Sequence, residues 1–311
     1  MRVVQIGVGG WGKNHIRILS QLGILSAICE INSKKLKENA EKYSVKDYGS
    51  VDDLINSEEF DAAFVVTPTS THAEIVKKLL ESKKHVFVEK PMTYKSEEGE
   101  ELVRLANKNK VVLMCGYIER FNPAVKVVKK IINQQETGNL IMLEFHRENK
   151  IPLHIKDVGI IYDTSVHDID TANWLFEDMP HVVFARAGKI EHEHEDFATI
   201  ILGYKDNKTA IISSNWITPK RVRNFNATCT DAVISSDFIT QEVTVERKDK
   251  LEKIQNEKKE PLLLEIQDFL ETITNKNEST IKPQEAVNVT IIAEAALLSS
   301  QKGIPIYLDL K

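Results

Sequence analysis

Residues 7–12 read GVGGWG, a G-x-G-x-x-G that ends the run VVQIG (3–7) and opens a helix-like stretch from Gly12 to Leu22 with Ile16, Leu19 and Leu22 as its apolar positions. Glycines gather in turns for many reasons, so the spacing alone is weak. Between a strand and a helix it acquires a mechanism. Gly7 permits the tight turn, Gly9 lets the backbone approach a pyrophosphate, and Gly12 allows the helix to pack closely on the strand. The helix N-terminus then offers N–H groups and the positive end of its dipole to phosphates. Gly7, Gly9, Gly10, Trp11 and Gly12 are therefore candidate dinucleotide contacts. An acidic residue roughly 20 positions further on is expected to hold the ribose hydroxyls, and Glu30 ends the next apolar run, ILSAICE (24–30). A carboxylate there repels a 2′-phosphate, so NAD is expected rather than NADP, although Lys34 and Lys35 stand close by.

The surrounding pattern agrees. AAFVVT (62–67), HVFVE (85–89) and VVLMCG (111–116) are further apolar runs, separated by helical segments at 34–42, 72–82 and 96–108. Runs apolar on both faces, alternating with helices, require a parallel sheet covered on both sides, and right-handed crossovers make it doubly wound. After about Tyr117 the texture changes. Helices around 122–133 and 160–176 are followed by longer, alternating strands at 139–148, 181–190, 197–204, 208–216, 222–230 and 232–246, which suit a mostly antiparallel sheet with one open face. Helices EPLLLEIQDFLETI and 284–300 and a short strand close the chain. The fold class expected is α/β: a Rossmann domain at 1–118 and an α+β domain at 119–311 for substrate binding and oligomerisation.

Composition narrows the function. The 311 residues are 42% apolar, enough for substantial cores, and carry a net charge of −5, which argues against a nucleic-acid partner. No stretch approaches the ~18 apolar residues of a membrane span, and the start of the chain shows no cleavable signal. Three scattered cysteines, Cys29, Cys115 and Cys229, read as reduced thiols. A cytoplasmic protein is expected. The mixed charges of Arg247 to Glu260 read as a solvated loop and helix start.

YDTSVHDID (162–170) spaces Asp163, His167 and Asp170 four and three apart, on one face if the segment is helical. A solvated surface, a metal site or an acid/base pair would each fit. Metal is disfavoured because a closed site needs further ligands, and His192 and His194 in KIEHEHEDF read as a solvated hairpin end. Together with TPTSTH (67–72) and EKP (89–91), this stretch resembles the glucose–fructose oxidoreductase, inositol dehydrogenase and rhizopine-catabolism (Gfo/Idh/MocA) family, whose members show T-P-x-x-x-H, E-K-P and D-x-x-x-H in this order.

The resemblance implies roles. Thr67, Pro68, His72, Glu89 and Lys90 would lie at the cofactor, with His72 equally readable as a packed polar residue. Lys90, next to a Lys–Pro bond that is often cis in the family, would orient the substrate hydroxyl. His167 would be the general base and Asp163 would orient it. The chemistry is consistent: oxidising a secondary alcohol sends a hydride to nicotinamide and a proton to a base, and histidine titrates near neutrality. Asp170 is expected to contact or support the substrate, and Asp168 to be structural.

GYIERFNPAV (116–125) resembles the branch of the family that oxidises the 3-hydroxyl of UDP-N-acetylglucosamine. That would place Tyr117, Glu119, Arg120 and Asn122 at the sugar, although Glu119 and Arg120 could equally form a structural ion pair. WITPKRVRNF (216–225) supplies Lys220, Arg221 and Arg223, which with Arg147 could hold a diphosphate, arginine being suited to bidentate contacts; an exposed basic turn is the plainer alternative. A polyol or free-sugar dehydrogenase, a redox-assisted glycosidase and a non-catalytic NAD-binding regulator are the other readings. A homodimer or homotetramer is expected, covering the open sheet face.

Overall fold

The computed structural model describes residues 1–152 and 155–308. By contact these form two compact units, one of Met1–Gly116 with Glu265–Val287, the other of Tyr117–Leu264 with Asn288–Lys311.

The first unit alternates as its apolar runs require. β1 (Val3–Ile6), α1 (Gly12–Gln21), β2 (Leu25–Cys29), α2 (Ser33–Tyr43), β3 (Lys46–Tyr48), α3 (Val51–Ser57), β4 (Ala62–Val65), α4 (His72–Glu81), β5 (His85–Glu89), α5 (Ser96–Asn109) and β6 (Leu113–Gly116) follow in order. Among the described residues six strands make a parallel sheet ordered β3-β2-β1-β4-β5-β6. β1, β4 and β6 are wholly buried, so their apolar runs are continuous rather than alternating. β3 has no counterpart in the sequence reading, since three largely exposed residues at a sheet edge carry no apolar signal. The chain order reverses between β1 and β4, which puts the crevice for a ligand at the C-terminal ends of these strands. Residues 265–287 belong to this unit although the change of texture lies near residue 118. Phe269 explains the return: its ring lies edge-on to Phe64 and Phe87, 5.3 and 5.7 Å away.

The second unit contains α6 (Pro123–Asn133), β7 (Leu140–Glu148), a π-helical turn at Ile161–Ser165, α7 (Val166–Phe176), β8 (Val182–Gly188), β9 (Phe197–Gly203), β10 (Thr209–Asn215), β11 (Val222–Cys229), β12 (Val233–Asp237), β13 (Val243–Arg247) and β14 (Lys250–Ile254). α8 (Pro261–Asn275), α9 (Pro283–Lys302) and β15 (Ile306–Tyr307) end the chain. Nine strands among the described residues are ordered β14-β13-β12-β11-β7-β10-β9-β8-β15, antiparallel except for the parallel pair β7–β10. One face is lined by buried Leu143, Phe145 and Arg147 of β7, while Met142, Glu144 and His146 on the other face are open or half-open.

Two corrections follow from local chemistry. The strand expected over 232–246 is two strands, because the Asp237 side chain accepts from Ile239 N–H and Thr240 N–H and Gln241 takes φ 57°, turning the chain between them. The charged run expected to be a loop contains β14, paired with β13 and held at the sheet edge by ion pairs such as Lys253–Glu242. Charges on an edge strand also discourage pairing with another chain.

Candidate active site

Gly7 has φ +88°, and a Cβ there would collide with the carbonyl of Val66. Gly12 leaves no room for a Cβ against the Gly7 carbonyl, so α1 starts in close contact with the turn. Gly9 differs: a Cβ there would meet nothing within 4 Å, so the space above it is open to a ligand. No side chain caps α1 and no acid stands in its first turn, which leaves its positive end to an anion. Glu30 accepts from Val8 N–H (3.1 Å) and Asn32 N–H (3.0 Å), which fixes its carboxylate beside the glycine turn. These residues fit a dinucleotide. Burial pushes the neighbouring Cys29 thiol up to about 12, so it stays an unreactive thiol.

At the end of β5, Glu89 joins three segments. Its Oε1 accepts from Trp11 Nε1–H (2.8 Å) and lies 2.7 Å from His15 Nε2, and its Oε2 accepts from Lys90 N–H (3.2 Å). The glycine loop, α1 and the Lys90 backbone thus meet at one buried carboxylate. The Lys90–Pro91 bond is cis. His72 is 1% exposed, with its ring nitrogens 2.9 Å from the Pro91 and Thr67 carbonyls. It ties together the loops after β4 and β5 rather than presenting its ring to a ligand. Pro68 is exposed and half-buried Thr67 accepts from the Thr71 hydroxyl. His15 escaped the sequence reading, although it lies four residues before Leu19 on the buried face of α1.

In the second unit, the π-helical turn changes the geometry of YDTSVHDID. Val166 N–H bonds back five residues to Ile161 O, so the simple i, i+4, i+7 face does not hold across it. From Val158 to Ala172 every residue is buried except Asp163 and His167. Asp163 and His167 are half-buried, whereas Asp170 is fully buried in its pair with Arg120. The turn is pinned on several sides: Glu195 accepts from Ile160 N–H through its backbone (2.8 Å) and from Ile161 N–H through its side chain (3.2 Å), and Ser165 donates to Ser214 Oγ (3.1 Å). Burial raises the Glu195 carboxyl, against the amide bonds it accepts.

The residues expected around a sugar divide in two. Arg120 grips Asp170 with Nε and Nη2 at 2.8 and 2.6 Å, and both are buried. Arg147, 1% exposed, is bound by Asp168 (2.7 Å) and Glu119 (3.0 Å). Burial disfavours its charge, yet these two carboxylates hold its guanidinium firmly protonated. Asn122 caps α6 through Ala124 N–H and donates to Glu119, and Tyr117 is buried. Arg147, expected at a diphosphate, is therefore committed to its own carboxylates. Lys220 and Arg221 are exposed at the turn between β10 and β11, and Arg223, on β11, is half-buried. Arg223 stands opposite Arg147 across β11 and β7, and burial together with Arg147 and Arg221 pushes it down to about 10. His192 packs edge-on to Trp216 at 5.2 Å. Among the described residues no group of three or more His, Cys, Asp or Glu is arranged to hold a metal ion, and no helix is long and apolar enough to cross a membrane.

A parallel sheet whose glycine turn feeds α1, with a carboxylate fixed at the end of β2, defines a dinucleotide-binding Rossmann domain, here followed by an α+β domain. Two family models match in that order: the oxidoreductase family with an NAD-binding Rossmann fold over residues 1–117, and the GFO/IDH/MocA C-terminal domain over residues 125–235. The chain belongs to the GFO/IDH/MocA oxidoreductase family. The uncharacterized oxidoreductase YrbE of Bacillus subtilis is 28% identical over 98% of this chain and 95% of its own. UDP-N-acetylglucosamine 3-dehydrogenase of Acidithiobacillus ferrooxidans is 26% identical over 88% of both chains, and a solved structure of GnnA, the enzyme of that name from the same organism, superposes with a TM-score of 0.90 at 25% identity, covering 97% of this chain and 98% of its own. Myo-inositol 2-dehydrogenase of Thermotoga maritima is 28% identical over 69% of this chain and 68% of its own.

Proposed function

We propose that this protein is an NAD-dependent dehydrogenase that oxidises the 3-hydroxyl of UDP-N-acetylglucosamine to the 3-keto sugar. The reading is carried by GYIERFNPAV, supported by similarity to the Acidithiobacillus dehydrogenase along most of both chains. The glycine turn and Glu30 would hold the dinucleotide, whose nicotinamide would supply the hydride acceptor. His167 takes the hydroxyl proton, Asp163 sets the imidazole orientation and stabilises the imidazolium, and the Lys90 ammonium polarises the developing alkoxide. Tyr117, Glu119, Arg120, Asn122 and Asp170 shape the sugar side, and Arg147, held by Glu119 and Asp168, supports the diphosphate side. Lys220, Arg221 and Arg223 offer cations to the diphosphate. Glu30 favours NAD over NADP. The protein works in the cytoplasm as a homodimer or homotetramer, covering the outer face of the nine-stranded sheet, where Phe197 and Ile201 are exposed.

A polyol dehydrogenase is the second reading, favoured by the similarity to myo-inositol 2-dehydrogenase. Mixing the protein with NAD and either UDP-N-acetylglucosamine or myo-inositol, and following reduced-nicotinamide absorbance, separates the two. Turnover of the polyol alone rejects the nucleotide sugar. An equilibrium that disfavours the ketone is drawn forward by an aminotransferase.

A further inference from the structure

Trp216, the residue after β10, is 2% exposed, and its indole N–H donates to Thr164 Oγ1 at 3.2 Å. The Thr164 hydroxyl donates in turn to Asp163 Oδ2 at 3.1 Å. The order of this chain is forced. An indole nitrogen only donates, an ionised carboxylate only accepts, and a hydroxyl has one proton. Bonded to both, the hydroxyl accepts from the indole and gives its one proton to Asp163. The anchor is itself held, because Trp216 N–H donates to Asp196 O (2.8 Å), while the Asp196 carboxylate gathers the N–H groups of Ile190, Glu191 and His192 at 2.7–3.1 Å.

We propose that Trp216 and Thr164 are positioning residues that fix the rotamer of Asp163 and, through it, the imidazole of His167. The inference rests on the reading of Asp163 and His167 as the orienting acid and the base. The hydroxyl that holds Asp163 belongs to the next residue of the same π-helical turn, and Trp216 reaches it from the end of β10.

Four variants test this, with circular dichroism to confirm that each folds, NAD as cofactor and whichever of the two candidate substrates turns over. Thr164→Val keeps the side-chain shape and removes the hydroxyl; kcat falls about ten-fold or more, as loss of a hydrogen bond to a charged group implies, while KM and NAD affinity change little. Thr164→Ser restores most of the rate. Trp216→Phe falls between, since the hydroxyl is then free to rotate, and Thr164→Val with Trp216→Phe is no slower than Thr164→Val alone. A folded Thr164→Val with native kcat, a Thr164→Ser as slow as the valine, or multiplicative losses in the double variant would each overturn the proposal. Asp163→Asn separates the two levels. Native activity there removes the reading of the site and the relay with it; a slow Asp163→Asn beside a native-like Thr164→Val removes the relay alone.

Discussion

His15 Nε2 lies 2.7 Å from Glu89 Oε1, across 74 positions of chain, and the same oxygen takes the Trp11 indole N–H. Burial alone would raise the Glu89 carboxyl, but the His15 contact, the Lys90 charge and the indole lower it below the ordinary range. A carboxylate with a depressed folded pKa stabilises the fold fully above its unfolded value of about 4.3, and this is lost as pH falls through the folded value. Glu89→Gln should therefore lose about 1–3 kcal/mol near pH 7, and its deficit against the native protein should shrink in strong acid. Urea unfolding at both pH values checks this.

Arg147 is enclosed with Asp168 and Glu119. Replacing it by methionine fills much of its volume but leaves two buried carboxylates without their cation. The expected cost is about 3–5 kcal/mol, read as a lower unfolding midpoint in denaturant. A cost below ~1 kcal/mol, the range of exposed pairs, would show that the cluster is solvated.

Glu195 predicts the opposite sign. Its raised carboxyl binds a proton more readily folded than unfolded, so stability falls as pH rises from about 4.3 through the folded value. Glu195→Gln keeps an oxygen for Ile161 N–H and removes the buried charge. Its Tm should rise by about 1–3 °C at neutral pH and vary less between pH 4 and 7. A calorimetric pH series measures both.

Much of this was legible because its signals are local. Gly7, Gly9 and Gly12 state a turn geometry within six residues, and the alternation of apolar runs with helices states the parallel sheet. Long-range charge was not legible. Arg147 read as a ligand-binding cation, and Arg120 as either that or a partner of Glu119, because their actual partners, Asp168 and Asp170, lie on another element, and only the fold shows those charges matched. β14 hid in a charged run because an edge strand needs no apolar pattern. Trp216 and Thr164, 52 positions apart, gave no sign of meeting. The π-helical turn was also invisible, since its residues carry an ordinary helical pattern.

Lys90→Ala and His167→Ala should each lose at least about a hundred-fold in kcat, the scale of general acid–base assistance, while titration of protein fluorescence shows NAD still bound. Full activity in either variant rejects the role given to that residue.

The central claim is hydride removal from C3 of the sugar. UDP-N-acetylglucosamine carrying deuterium at C3 tests it directly, with the reduced cofactor analysed by mass spectrometry. The account predicts reduced nicotinamide one mass unit heavier and a slower turnover than with the protiated sugar. Unlabelled reduced cofactor from the deuterated sugar would contradict it, as would reduction with myo-inositol and none with the nucleotide sugar.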